Sequence, residues 1–319
     1  MARTCAVLDD YQNVALEFAD WSRVSEVEIA VFNAPLGGHD EVARALEGFD
    51  IVCLMRERTA FPRQVIEKLP RLKLIVTTGL RNAAIDVAAA ADHGVTVCGT
   101  QLAPHPTAEL VFAHMLEFAR KVGFENARLK DGAAWQVTIG RDLSGKTLGI
   151  IGLGKLGRQV ARIAEAFGMT VLAWSQNLTP EKCEGTGARY AAKEELLQAA
   201  DFVTVHLQLS ERSTGLIGAA ELALMKPSAF LINTSRGPIV EESALTDALR
   251  DKRIAGAGID VFDTEPLPLD HPFRTLLNAQ ITPHLGYVTQ DNYRLCYGQT
   301  VEAIRAWLDG SPVRVIEPA

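Results

Sequence analysis

Several chemistries are excluded by what this sequence lacks. Its five cysteines, Cys5, Cys53, Cys98, Cys183 and Cys296, are scattered, odd in number and nowhere spaced C-x-x-C. That pattern argues against a disulfide framework or a zinc–thiolate site and for reduced, mostly buried thiols. The seven histidines show neither H-x-x-x-H nor H-E-x-x-H, so no metal centre is expected. Lysine plus arginine number 32 against 39 acidic residues, a net charge of −7, and no basic run occurs. A nucleic-acid surface would need a basic patch. No run reaches the roughly 18 apolar residues needed to cross a membrane, and the opening "MARTCAVLDD" holds too short an apolar stretch for a signal peptide. The expectation is a cytoplasmic protein with neither a nucleic-acid nor a membrane partner.

What is present describes layered strands and helices. With 319 residues, 48% of them hydrophobic and 22% charged, there is room for two domains with separate cores. Short β-branched runs alternate with helical patterns, the mark of parallel α/β layers. A first series comprises "CAVLD", "VEIAVF", "DIVCLM", "LKLIVTTG" and "GVTVCG", with helices such as "HDEVARALEG" and "PRQVIEKL" between them. Pro104 and Pro106 read as a stiff connector, followed by a long helix with Leu110, Val111, His114, Met115 and Phe118 on one side. A second series starts at Thr147: "TLGIIGLG", "MTVLAW", "FVTVHLQ", "AFLINTS", "AGAGIDVF" and "QITPH". Near the end, Tyr293, Cys296, Tyr297, Thr300, Val301, Ile304 and Trp307 recur at helical spacing. A helix there most simply packs back on the first series. The predicted fold is α/β with two parallel-sheet, Rossmann-like domains. Residues 104–287 form one, inserted into another made of residues 1–103 and 288–319, with a cleft between them.

The second series opens with Gly152, Gly154 and Gly157 in the order G-x-G-x-x-G, between an apolar run and a helical pattern. Alone this signal is weak; in its strand–loop–helix–strand setting it reads as a dinucleotide site. The first glycine permits the tight turn, the second lets backbone approach a pyrophosphate, and the third lets helix and strand pack closely. The helix N-terminus adds unpaired N–H groups and partial positive charge. One part is missing. The next run, "MTVLAW", ends in Ser175, Gln176 and Asn177, where an Asp or Glu would hold the ribose and repel a 2′-phosphate. Glu181 is the nearest acid downstream, past Pro180, and Lys182 and Arg158 are the nearest cations. NADP(H) is therefore expected to be accepted at least as well as NAD(H).

Three later strand ends carry chemistry. Arg236 follows "FLINTS", Glu265 follows "GIDVFDT", and His284 stands between Pro283 and Gly286 in "ITPHLG". In a parallel sheet the carboxyl ends of the strands face the ligand crevice. Arginine offers a planar fork for a carboxylate, histidine moves a proton near neutral pH, and an adjacent glutamate orients the ring and favours its protonated form. Taken singly, Arg236 could be a surface or capping charge, Glu265 an acidic turn and His284 a core histidine. Their joint appearance, each braced by Pro or Gly, favours a site.

The stretch from Thr147 to Tyr287, through "GLGKLG", "NTSRGPIV", "AGAGIDVFDTEP" and "ITPHLG", resembles the D-isomer-specific 2-hydroxyacid dehydrogenases. The likeness extends more weakly through "TTGLRNAAID" and "PTAEL". It implies a nucleotide-binding domain inserted into a flavodoxin-like substrate domain, and hydride transfer between C4 of a nicotinamide and C2 of a 2-keto or 2-hydroxy acid. It assigns Arg236 to the substrate carboxylate, His284 to the transferable proton and Glu265 to the histidine. It assigns cofactor contacts to Gly152, Gly154, Leu156, Gly157, Ser175, Thr234, Ser235, Asp260 and Gly286, and substrate contacts also to Leu80 and Arg81. It further implies a homodimer built through the nucleotide domain, where Trp135 matches an interface aromatic of some relatives; a core or other surface position is equally open. Formate dehydrogenases of this fold carry glutamine in place of Glu265, which sets this chain apart from them.

Departures remain. A G-x-G turn usual in the first domain is Gly79-Leu80-Arg81 here. Arg81 either selects a second acidic group or pairs with Asp86 on the surface, the latter slightly favoured. Gln208 stands where many members have proline, and Met55, Arg56, Leu80, Arg81 and Tyr287 suit acids of several sizes. Transcriptional corepressors share the fold and the Arg, Glu, His trio, so a non-enzymatic NAD(H)-sensing scaffold is the alternative. The sequence stops at "VRVIEPA" with no basic or disordered extension, which favours the enzyme.

Overall fold

The first series of apolar runs becomes five parallel strands: β1 (Arg3–Val7), β2 (Val27–Val31), β3 (Ile51–Leu54), β4 (Leu74–Thr77) and β5 (Thr96–Gly99). Their spatial order is β2-β1-β3-β4-β5, the flavodoxin-like arrangement. Every residue of β3 and β4 is buried, as expected of strands covered on both faces. Helices α1 (His39–Leu46), α2 (Arg63–Ile66) and α3 (Val87–Asp92) supply cover, and Leu46, Val52, Phe61, Val65 and Ile75 share one apolar core. Asp86 caps α3, its carboxylate accepting from Ala89 N at 2.8 Å.

The second series forms seven parallel strands: β6 (Thr147–Ile151), β7 (Thr170–Trp174), β8 (Arg189–Tyr190), β9 (Phe202–Val205), β10 (Phe230–Asn233), β11 (Gly256–Ile259) and β12 (Ala279–Ile281). Their order is β12-β11-β10-β9-β6-β7-β8, the Rossmann order with one strand added. Alternate residues feed two cores. Leu148, Ile150, Phe202, Phe230 and Ile232 face one layer; Ile151, Val203, Val205, Leu231 and Ile259 face the other. The first layer is covered by α4 (His105–Arg120) and α6 (Lys155–Ala166), with α5 (Val122–Lys130) between them in sequence. The second is covered by α8 (Lys193–Ala199), α9 (Ala219–Leu224) and α10 (Glu242–Arg250), while the short α7 (Pro180–Cys183) precedes β8. Strand β8 is two exposed residues long, too short to leave a pattern in the sequence. The proline pair also behaves differently from a connector: Pro106 sits in the first turn of α4. The amide that proline lacks has no intrahelical partner there, so the helix begins through it.

The last helix, α11 (Gln290–Leu308), starts at a Thr289 cap and packs against β4 and β5. Two compact units result, Met1–Ala103 with Val288–Ala319, and Pro104–Tyr287. The structure, a computed structural model, describes residues 2–318.

Candidate active site

Strand order reverses between β6 and β9, and in an open parallel sheet ligands bind beyond the carboxyl ends of the strands at that point. Gly152 follows β6 there with φ +106°, and a Cβ on it would stand 2.7 Å from the His206 carbonyl oxygen. On Gly157, in the first turn of α6, a Cβ would collide with the Gly152 carbonyl oxygen. Neither position tolerates a side chain, whereas the space around Gly154 is open. Exposed Gly154 and half-buried Leu156 thus border a helix N-terminus whose first N–H groups lack intrahelical acceptors. Two polar atoms at the same strand ends, His206 Nδ1 and Thr234 Oγ1, are buried without a hydrogen-bond partner among the described residues. Burial pushes the His206 imidazole down to about 3, so its orphaned nitrogen belongs to a neutral ring. The glycine cradle and the two orphaned atoms fit a dinucleotide.

At the end of β7, half-buried Ser175 closes a turn, its carbonyl accepting from Leu178 N at 3.0 Å. Gln176 Nε2 donates to the Arg212 carbonyl at 3.4 Å, bringing the loop after β9 alongside. Lys182 Nζ donates to the Asn177 carbonyl at 2.8 Å, and Arg158 to that of Lys182 at 3.3 Å. Arg212, remote in sequence and outside any motif, thus brings its backbone to this loop.

His284 and Glu265 lie on the other side of the sheet centre. His284 Nδ1 is 2.7 Å from Glu265 Oε2, and Phe262 N donates to Glu265 Oε1 at 3.0 Å. Burial alone would raise the Glu265 carboxyl. The hydrogen bond and charge of His284, the Phe262 amide and the nearby charge of Arg236 outweigh it, and the net shift is downward. Arg236 follows β10 in a stapled turn: Asn233 Nδ2 donates to its carbonyl at 2.9 Å, Ser235 N to Asn233 Oδ1 at 3.0 Å, and Ser235 Oγ to the Val205 carbonyl at 2.7 Å. Gly237 allows this turn to meet that of Glu265, because a Cβ on Gly237 would collide with the Phe262 carbonyl group. His284 itself has φ +54°, a left-handed backbone that a residue with a Cβ rarely adopts.

Asp260 organises that unusual turn. It is fully buried; its Oδ1 accepts from Leu285 N at 2.7 Å and Thr282 Oγ1 at 2.6 Å, and its Oδ2 from Gly286 N at 2.9 Å. Burial raises its carboxyl, with these donors and the charge of His284 opposing. Thr107 Oγ1 donates to the Gly286 carbonyl at 2.8 Å. Thr282 and His206 were not singled out from the sequence; each is a polar residue immediately after an apolar run, which is the signal that could have found them.

The structure thus gathers Arg236, Glu265, His284, Thr234, Ser235, Asp260, Gly286 and the glycine loop at the carboxyl edge of one sheet. Leu80 and Arg81 belong to the other unit, exposed after β4. There Gly79 has φ +96°, and the Arg56 guanidinium occupies the space a side chain on Gly79 would need. All five cysteines are free and buried. Among the described residues no group of three or more His, Cys, Asp or Glu could hold a metal ion, and no helix is long and apolar enough to cross a membrane.

The family described as "D-isomer specific 2-hydroxyacid dehydrogenase, NAD binding domain" matches residues 112–286. A glyoxylate reductase of Thermococcus litoralis is 38% identical over 238 residues, 72% of this chain and 72% of that protein. A D-3-phosphoglycerate dehydrogenase of Methanocaldococcus jannaschii is 36% identical over 90% of this chain, which spans only 54% of that longer protein. The crystal structure of a phosphoglycerate oxidoreductase from Vibrio cholerae superposes with a TM-score of 0.92 at 33% identity, covering 98% of this chain and all of that one.

Proposed function

The chain belongs to the D-isomer-specific 2-hydroxyacid dehydrogenases, and from that membership we propose how its own residues divide the reaction. It is an oxidoreductase acting on the CH–OH group of 2-hydroxy acids or the carbonyl of 2-keto acids, and it uses NAD(H). The cofactor supplies or accepts a hydride at C4 of its nicotinamide. Arg236 binds the substrate carboxylate and places positive charge beside the carbonyl, where alkoxide charge develops. His284 exchanges the proton. With Nδ1 engaged by an ionised Glu265, the ring keeps its Nδ1 proton, and Nε2 is the atom that gives a proton to the carbonyl oxygen or takes one from the hydroxyl. Glu265 supplies the counter-charge that favours the protonated ring. The observation that carries this reading is the 2.7 Å contact between His284 Nδ1 and Glu265 Oε2, with the charge of Arg236 acting on the same carboxylate.

The glycine loop, Leu156, Ser175, Thr234, Ser235, Asp260 and Gly286 hold the dinucleotide, and the unit of Pro104–Tyr287 serves as the cofactor domain. Leu80 and Arg81, in the unit completed by α11, contact substrate. The absence of a carboxylate at Ser175–Asn177 and the presence of Arg158 and Lys182 nearby support acceptance of NADP(H) as well as NAD(H). Homodimerisation through the cofactor unit is supported by α5, which has no buried residue, and by the exposed apolar side chains of Phe124, Trp135, Val137 and Ile139 around it. Trp135 is 70% exposed, so it is not a core residue. A cytoplasmic location is part of the same reading. The scaffold alternative finds no support among relatives named for reductase and dehydrogenase activities.

Glyoxylate, hydroxypyruvate and larger 2-keto acids, each assayed with NADH and NADPH, test the proposal. Turnover of at least one 2-keto acid is expected, and failure with the whole panel would refute it.

A further inference from the structure

His114 lies on α4, is 1% exposed and has no part in the reaction described above. Its place is made for a ring. Gly258, in the middle of β11, would put a Cβ 2.9 Å from the imidazole Cγ and Nδ1, and a glycine inside a strand marks such a close approach. His114 Nε2 is 3.3 Å from Thr282 Oγ1. The Thr282 hydroxyl donates its only proton to Asp260 Oδ1 at 2.6 Å. Thr282 Oγ1 is therefore the acceptor of the contact with His114, and the ring carries its proton on Nε2. Beside the ring stands the Gln280 side chain, whose Oε1 is itself buried without another hydrogen-bond partner among the described residues; it favours the charged imidazole, but burial outweighs it and lowers the group below its ordinary value, so the ring is neutral.

The chain of bonds continues to the reacting residue. Asp260 accepts from Leu285 N and Gly286 N through its carboxylate, and from His284 N through its carbonyl at 2.9 Å. These three amides belong to the turn that holds His284 in its left-handed backbone. Helix α4 grips the far end of the same turn through Thr107 and the Gly286 carbonyl. We propose that His114 is a positioning residue for the acid–base step. By donating to Thr282 it fixes the hydroxyl toward Asp260, and through Asp260 it sets the turn that presents His284 to Glu265. The inference rests on the reading of His284 as the proton-transfer group.

Two substitutions separate positioning from packing. His114→Leu removes the donor and keeps an apolar filling; His114→Gln retains an N–H near the Nε2 position. The leucine variant should lose kcat for 2-keto acid reduction on the order of tenfold, the rate equivalent of one hydrogen bond, with KM for the keto acid little changed. Its rate should also begin to fall at lower pH, because His284 is less well held against Glu265. The glutamine variant should recover most of the loss. Thr282→Val cuts the same link from the other end, together with the bond to Asp260, and should lose kcat at least tenfold, an arm that stands even if His114→Leu does not fold; where it folds, the double variant should lose no more than Thr282→Val alone. The proposal is overturned if His114→Leu keeps the parental kcat and pH profile whatever its Tm, if leucine and glutamine cost the same, or if the losses in the double variant multiply. His284→Asn is assayed alongside. Full activity in that variant would refute the acid–base reading itself, whereas an inactive His284→Asn with an unaffected His114→Leu refutes only the role of His114.

Discussion

Replacing Glu265 by glutamine removes one charge and one of two accepting oxygens. With its amide oxygen toward His284 Nδ1, where Glu265 Oε2 now stands at 2.7 Å, the tautomer that frees Nε2 is retained, and the Phe262 amide loses the acceptor it has at 3.0 Å. At His284 what is lost is the difference between a charge-assisted and a neutral hydrogen bond. Charge-assisted bonds contribute about 1.5–3 kcal/mol and neutral ones about 0.5–1.5 kcal/mol, a difference of roughly 1–1.5 kcal/mol. One pH unit corresponds to about 1.4 kcal/mol between protonation states. Reduction requires the protonated ring, and the protonated ring loses its counter-charge. The alkaline limb of the rate profile for 2-keto acid reduction should therefore move down by about one unit, while the rate on the acid side stays within several-fold of the parent. Steady-state rates of keto acid reduction across pH, at saturating cofactor, read this directly. An alkaline limb that does not move in Glu265→Gln would refute the coupling of the two residues.

Further outcomes follow from the same geometry. Arg236→Lys keeps the charge and loses the fork, so kcat/KM for 2-keto acids should fall about ten- to a hundredfold with cofactor affinity nearly unchanged; parental kcat/KM would mean that Arg236 does not hold the carboxylate. Ser175→Asp installs the missing charge at the end of β7 and should raise KM for NADPH while sparing NADH. An unmodified protein that already rejects NADPH strongly would show that some other group excludes the phosphate. The Glu265 carboxyl is held below its ordinary value of 4.5, so its contribution to stability is fully present above that value and is lost as pH falls through the lower folded one. Urea unfolding of the parent and of Glu265→Gln should show a stability gap that is constant above that value and narrows in acid. A gap that persists unchanged to the lowest pH at which the protein folds would contradict the shift.

Much of the fold was legible because buried parallel strands read as apolar runs whatever surrounds them. The runs around Cys5, Val27, Ile51, Leu74 and Val97, and the six from Thr147 onward, all became strands. What failed to show was governed by few residues or by distance. Strand β8 is two exposed residues, and α5 buries none of its side chains, so neither imposes a hydrophobic period. Pro106 read as part of a connector, although at a helix start proline gives up nothing, and it lies in the first turn of α4. Within the site, Arg236, Glu265 and His284 could be singled out because Gly and Pro brace each of them at a strand end. The contact of Gln176 with the Arg212 carbonyl could not, since only the fold brings those two loops together. His114 looked like one more residue on the buried side of a helix; its polar role depends on Thr282, 168 positions away, and no local pattern encodes that pairing.

Whether His284 Nε2 carries the proton of a nicotinamide-dependent 2-keto acid reduction is decided by single-turnover and steady-state reduction of glyoxylate and hydroxypyruvate by the parent and by His284→Asn, with NADH binding to each followed by fluorescence. His284→Asn should bind NADH as the parent does and reduce either acid slower by a factor of about 10²–10⁴. A His284→Asn variant that binds cofactor and turns over at the parental rate would contradict that role of His284.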